Sequence, residues 1–337
     1  MEEILKYDKI SEPQKSQKAQ LWKTAIGLQA VDGLQTSEYL IDVAKQHIEG
    51  DITIDEAGHY LKEYYKAKGD RDDSDARIEE ADIVSQRITK ILSEGGFSFT
   101  PAFYCGIHRK LFDGIFKFAG QIRDYNITKK EWVLSGDTVI YGNAADISAT
   151  LDYDFGVERS FKYSGLDKSG IIEHISHFVA YLWQIHAFGE GNTRTTAVFT
   201  ILYLRSLGFD VDNDLFENHS WYFRNALVRA NYNNLKKGVV ADQSYLEAFF
   251  ENLMYGGNNL LSNRAMHDVH PLEKKTKPSD REQLILEFIK SNPGCSAVII
   301  SESLSIPLRS VQRTIASISD KVEHRGSNKT GGYYLKP

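Results

Sequence analysis

Two apolar stretches with helical spacing, Ile171 to Ile185 and Thr195 to Leu207, are joined by one short loop, His186-Ala187-Phe188-Gly189-Glu190-Gly191-Asn192-Thr193-Arg194. A helix that is apolar on most sides has to be buried. The pair therefore commits the chain to a helical core, with a polar, glycine-containing loop pinned inside it. From Asp75 to about Gly256 the pattern stays predominantly helical. One interruption, Gln121 to Ile127 followed by Asp137 to Tyr141 with Ser135-Gly136-Asp137 as the turn, predicts a β-hairpin set into the helices.

At 337 residues the chain exceeds one compact core. Upstream of Asp75 the pattern predicts a small helical domain over 1–68. It has a helix from Gln20 to Val31 stopped by Gly33, a second from Ser37 to Glu49, and a third capped by Thr53 with Glu56 at the capping-box position. Lys68 to Asp75 is rich in Gly, Asp and Arg and reads as a connection. Residues 257–279, with Gly-Gly-Asn-Asn and the basic run Lys274-Lys275-Thr276-Lys277, read as a linker. Over 280–337 the expectation is three helices (Arg281 to Ser291, Ser296 to Leu304, and one started by Pro307) and a closing hairpin from Val322 to Leu335. That order predicts a winged helix-turn-helix.

The formal charge of −6 means that any nucleic-acid contact has to come from a local basic surface. Cys105 and Cys295 are far apart and suggest neither a disulfide framework nor a zinc site. Met1 to Gln17 is charged and lacks the apolar core of a signal peptide. No run is long and apolar enough for a membrane span. The expected location is the cytoplasm.

The loop has the parts of a phosphoryl-type transfer site. Gly191 and Asn192 open a helix whose first N–H groups, together with its dipole, suit phosphate oxygens. Arg194 adds a forked cation. Glu190 is a hard oxygen ligand of the kind magnesium takes alongside substrate phosphates. His186 ends the preceding helix with a base that titrates near neutrality. Phe188 serves as an anchor.

These residues resemble the Fic/Doc motif His-Pro-Phe-x-(Asp/Glu)-Gly-Asn-Gly-Arg-x-x-Arg. His186, Phe188, Glu190, Gly191, Asn192 and Arg194 match it. Ile107 to Phe112 and Phe118 to Arg123 resemble the family's approach to its flap, so the resemblance covers 75–256. It implies a protein adenylyltransferase that moves AMP from ATP to a Ser, Thr or Tyr hydroxyl, with His186 as general base and Glu190 as magnesium ligand. ATP would lie against Phe188, Gly189, Gly191, Asn192, Thr193 and Arg194, with Asn192 on the α-phosphate and Arg194 on the β-phosphate. Tyr222, Asn225 and Arg229 would line the nucleotide pocket on a later helix. The target, another protein or the chain itself, would dock by strand addition on the flap at 121–141.

Three positions depart from the motif: Ala187 for Pro, Thr193 for Gly, and Ala197 for the second Arg. A Cβ at Thr193 threatens the phosphate nest. Loss of the second Arg leaves a Doc-type protein phosphotransferase as the enzymatic alternative. A nucleotide-sensing, DNA-binding transcription regulator with a weak or inactive core is the other.

The N-terminal segment resembles the antitoxin-like domain of some Fic proteins, with Asp32-Gly33 at the regulatory positions and Leu28 where a hydroxyl belongs. Asp32 in place of Glu and Ala197 in place of Arg together imply weak restraint. In the last domain, Arg309, Arg313, Lys321, Arg325 and Lys329 are the expected phosphate contacts, and Ser310, Gln312 and Arg313 the base-reading side, should it bind DNA. His174 and His177, at i and i+3, read as packed or solvated histidines. Lys129, Lys130 and Glu131 read as a solvated turn. A homodimer is left open.

Overall fold

The computed structural model describes residues 13–69, 72–211, 215–267, 278–319, 321–326 and 331–336. The chain divides into two units, Met1–His270 and Pro271–Pro337. The division falls within the expected 257–279 linker. Residues 268–277 of that linker, with Lys274, Lys275 and Lys277, lie outside the described residues.

The first unit is helical. α1 (Pro13–Gly27) runs into a 3-10 turn, Leu28–Asp32, stopped by Gly33 in the left-handed conformation. α2 (Glu38–Glu49) is capped by Ser37, and α3 (Ile54–Ala67) carries the Thr53/Glu56 capping box in full. α4 (Asp73–Glu94) follows. These helices do not form a body of their own. Ala25 and Leu28 are buried in the same core as Phe112, Trp183 and Phe199. A Cβ on Gly27 would lie 2.4 Å from the Cα of Glu217, so α1 crosses a later helix at a distance only glycine permits. The buried Asp82 of α4 accepts hydrogen bonds from Ser37 N (2.9 Å), Ser37 Oγ (2.5 Å) and Tyr65 Oη (2.6 Å), tying the N-terminal helices to the rest.

α5 (Pro101–Phe112), α6 (Ile147–Ser160), α7 (Lys168–Ile185), α8 (Asn192–Ser206), α9 (Leu215–Ala230), α10 (Ser244–Tyr255) and the short α11 (Asn263–Met266) complete the unit. α8 is its axis, buried continuously from Asn192 to Leu204. This is what an apolar helix without a polar face must become.

The expected hairpin does not form. Among the described residues, 121–141 contain no strand, only a 3-10 turn at Trp132–Leu134 and the turn bonds Glu131 N→Asp137 O and Gly136 N→Glu131 O, 2.9 and 3.0 Å. Side chains hold the segment in place of a ladder. The buried carboxylate of Glu131 accepts from Tyr141 Oη (2.9 Å) and pairs with Arg224 (2.6 Å). Asp137 accepts from Tyr232 Oη (2.6 Å) and pairs with Lys237 (3.0 Å). Alternation in sequence gave the extended backbone but not its partner.

The second unit has α12 (Pro278–Ser291), α13 (Ala297–Leu304), α14 (Leu308–Ser317) and an antiparallel pair, β1 (Val322–Arg325) and β2 (Gly332–Leu335), in register Val322↔Leu335. Ile285, Ile289, Ile300, Val311, Ile315 and Val322 form its core. The element order is the one expected, with Ser296 capping α13 and Pro307 preceding α14. Lys329 lies outside the described residues. Among the described residues no helix is long and apolar enough to cross a membrane.

Candidate active site

The loop after α7 is fixed by its backbone carbonyls. His186 sits in the left-handed region (φ 50°) although it is not glycine. Such a conformation persists only when the surroundings over-determine it. Arg123 does so. Buried in the first turn of the flap segment, its guanidinium donates to the carbonyls of His186 (2.7 Å), Ile185 (3.2 Å), Gly142 (2.5 Å) and Tyr125 (2.6 Å), and its own N–H donates to Ala187 O (2.9 Å). A cation here also meets the negative end of the α7 dipole.

The His186 ring is buried, 4.2 Å from the ring of Tyr141 between centroids. Its Nδ1 lies 3.2 Å from the carbonyl of Trp183. A carbonyl only accepts, so Nδ1 carries the hydrogen and Nε2 the lone pair. Burial, with Lys129 adding to it, holds the imidazole well below its usual pKa and therefore neutral.

His108 supports the other side of the loop. Its Nδ1 accepts from Gly120 N (2.8 Å), so its Nε2–H donates to Glu190 O (3.0 Å). Its ring stacks on Phe188 at 3.8 Å. Burial pushes this imidazole down to about 4. One side chain thus connects α5, the flap entry and the loop after α7.

Gly191 opens α8 with φ 75° and no side-chain cap, and a Cβ there would strike the Phe112 ring at 2.4 Å. The first N–H groups of α8 are left without intrahelical acceptors. Glu190 and Arg194 line one cleft of about 560 Å³ with Asp32, Gly33, Arg77, Glu80, Lys129, Trp221 and Arg224. Arg194 is nearly fully buried over the face of Phe112. Its guanidinium is already engaged. NH1 donates to Gln29 Oε1 (3.1 Å), NH2 donates to Glu80 Oε1 (2.6 Å), and Nε lies 2.7 Å from Asp32 Oδ2. The Asp32 contact is an ion pair without an aligned hydrogen bond.

The half-exposed carboxylate of Glu190 pairs with Lys129 Nζ at 2.9 Å. Lys129 is therefore a site residue and not the solvated turn residue expected. A half-exposed carboxylate beside an uncapped helix terminus is the kind of donor magnesium takes when phosphates complete its shell.

Several expected site residues are bonded within the protein or lie off the cleft lining. Thr193 turns into the core, where its Oγ1 accepts from Trp183 Nε1 (2.9 Å), so its side chain does not enter the nest. Asn192 closes on the loop itself, accepting from Phe188 N (2.9 Å) and donating to Phe188 O (2.8 Å), and so shapes the backbone. Ala197 is sealed in the core. Tyr222 is buried with its hydroxyl on Tyr245 O, and Asn225 donates to Asn263. The α9 residues that do line the cleft are Trp221 and Arg224, one position earlier on the helix. His174 is bonded to the buried Glu158 at 2.6 Å.

Gln29, Glu80 and Arg224 have no sequence signal of their own, while His108 and Arg123 lie in the stretches that resemble the family's approach to its flap. Their roles depend on which carbonyl or carboxylate the fold brings alongside. Phe118 to Arg123 marked the region but not the grip.

The Fic/DOC family pattern matches residues 98–204. The protein adenylyltransferase VbhT of Bartonella schoenbuchensis is 28% identical over 128 residues, which is 38% of this chain and 25% of that protein. The probable protein adenylyltransferase y4lH of Sinorhizobium fredii is 28% identical over 148 residues, 44% of this chain and 72% of that protein. The matched region thus spans only a quarter of the first relative. The crystal structure of a Fic family protein from Desulfovibrio desulfuricans aligns over 99% of this chain and 93% of its own, at 12% identity and a TM-score of 0.47.

Proposed function

We propose that this chain, which carries a Fic/DOC family domain over residues 98–204, is a protein adenylyltransferase using ATP and magnesium. The observation that supports this best is the placement of Glu190 and Arg194 in one cleft at the uncapped start of α8, with His186 just upstream in the tautomer a base requires. The target hydroxyl attacks the α-phosphorus in line. A new O–P bond forms, the bond to the β-phosphate oxygen breaks, and pyrophosphate leaves. The hydroxyl proton passes to His186 Nε2. The first-turn N–H groups of α8 and the Arg194 guanidinium hold phosphate oxygens. Magnesium, when bound at Glu190, neutralises phosphate charge. Arg123 and His108 keep the loop shaped for the reaction.

The test is intact-mass analysis after incubation with ATP and magnesium, for the wild type and His186→Ala, with a target-containing lysate as a second sample. Transfer of label from α-labelled ATP to protein, absent in His186→Ala, is the expected result. Label transferred only from γ-labelled ATP would make the chain a phosphotransferase. No transfer from either, with nucleotide still bound, would make it a nucleotide sensor.

A further inference from the structure

The second unit carries none of the residues named in the proposed reaction, and one face of it is cationic. α14 is anchored by Val311 and Ile315, both buried, with Ile318 just beyond its end. On the opposite face stand Arg309, Gln312, Arg313 and Ala316, at i, i+3, i+4 and i+7, all exposed. No acidic residue occurs in Leu308–Ser317. Among the described residues neither arginine forms an ion pair. Arg325 of β1 is different: it is paired with Glu323 and stacked on Tyr334. Ser310 is half-buried toward the side of the helix, so Arg309 takes the forward place that the sequence reading gave to Ser310.

We propose that the exposed face of α14 enters the major groove of duplex DNA. Three observations converge on it. α13 and α14 are joined by only three residues, Ser305, Ile306 and Pro307, with Ser305 in the left-handed region. This is a helix–turn–helix in which the second helix projects its outer face. Ten residues of helix span about 15 Å, and small side chains at Ala316 and Ser317 let the backbone approach a groove about 12 Å wide. Two guanidiniums one turn apart flank a carboxamide, the donor and acceptor set that reads guanine and adenine edges or grips the phosphates beside them. Charge complementarity selects a polyanion. The whole chain carries −6, so general attraction to DNA is opposed, and any affinity has to arise at a local cationic face.

The experiment is fluorescence anisotropy of a labelled mixed-sequence duplex of about 20 base pairs, titrated with the full chain at low and at moderate salt. Wild type is expected to bind at low salt with a dissociation constant on the order of micromolar, weakening steeply as salt rises. The Arg309→Ala/Arg313→Ala double variant is expected to lose at least tenfold, with a log–log salt slope shallower by about two. Both residues are exposed, so circular dichroism should be unchanged. Arg309→Lys/Arg313→Lys, which keeps the charge but not the fork, should retain part of the affinity. Selection from a randomised duplex pool should enrich a motif that Gln312→Ala blurs. Absence of duplex binding at low salt overturns the proposal, and so does a double variant that binds like wild type. Capture of a protein through this face without any duplex binding also overturns it. None of these outcomes depends on whether the first unit transfers AMP.

Discussion

Asp32 holds a carboxylate oxygen 2.7 Å from Nε of Arg194, and Glu80 and Gln29 take the other two nitrogens of the same guanidinium. The sequence suggested that Asp32 had lost its partner, because Ala197 stands where the second motif arginine belongs. The structure moves the contact one helical turn earlier, onto the arginine that remains. Weak restraint no longer follows: a phosphate reaching Arg194 must compete with two carboxylates and an amide. Deleting 1–68 cannot test this, since Ala25 and Leu28 belong to the main core. Asp32→Asn can, because it keeps the shape and removes the charge. Nucleotide affinity, measured by calorimetry, should rise about tenfold, roughly 1.4 kcal/mol, and transfer should rise with it. Unchanged affinity would mean that Asp32 restrains nothing.

Arg123 is predicted to act on rate and not on nucleotide binding. Its guanidinium holds carbonyls on both sides of His186 but does not line the cleft. Arg123→Lys keeps the charge and cannot span the same carbonyls. Single-turnover transfer should fall by one to two orders of magnitude, the range expected when a reacting group is misplaced by about 1 Å, while nucleotide affinity stays within about twofold. Arg123→Met leaves the carbonyls unpaired and should lower stability by about 3 kcal/mol in denaturant unfolding. A parallel loss of affinity and rate in the lysine variant would show that Arg123 supports the cleft and not the base.

His108 makes stability depend on pH in a definite direction. Its folded pKa is about 4, below the 6.5 of an unperturbed imidazole. The unfolded chain therefore binds the extra proton first as pH falls. Stability is fully present above about 6.5 and is lost progressively down to about 4, by up to about 3 kcal/mol from this group. Thermal unfolding between pH 7.5 and 4.5 should show the loss. His108→Asn should be less stable at pH 7.5 and should flatten the pH dependence. An unchanged slope in that variant would place the acid sensitivity elsewhere, with His186, held well below the usual imidazole value by burial, and His47, at about 4, next in line.

What could be read in the sequence was whatever is encoded locally. Thr53 with Glu56, Ser37, and Gly33 set helix ends through bonds within a few residues, and those ends appear where expected. The loop after Ile185 stands out in the sequence because its polar residues and glycines are contiguous. The flap does not. Its alternation specifies extended backbone, but whether a ladder closes depends on Glu131 meeting Arg224 and Asp137 meeting Tyr232, across about a hundred residues of chain. On α9 the residues that line the cleft are Trp221 and Arg224, not the Tyr222 and Asn225 expected. One residue is about 100° of rotation, enough to exchange Tyr222 for Trp221 at the cleft. Arg123 and Glu80 became site residues only through the carbonyls and the guanidinium that folding placed beside them.

Under the proposed function, Lys129 bears on how magnesium would bind. Its ammonium lies 2.9 Å from Glu190, the carboxylate proposed to hold magnesium. Both groups are partly exposed, so the pair itself contributes little, about 0.2–1 kcal/mol. Its importance is competitive, because a divalent cation at Glu190 must displace the lysine. Lys129→Met should therefore tighten binding of manganese with nucleotide by about twofold to fivefold, read by the paramagnetic signal of free manganese. Glu190→Gln should abolish the metal dependence of nucleotide binding in either background. If Lys129→Met instead weakens nucleotide binding with metal absent, the lysine is a phosphate ligand. Its pairing with Glu190 would then be only its resting place, and the cleft would have a cation from the flap that the motif alone does not supply.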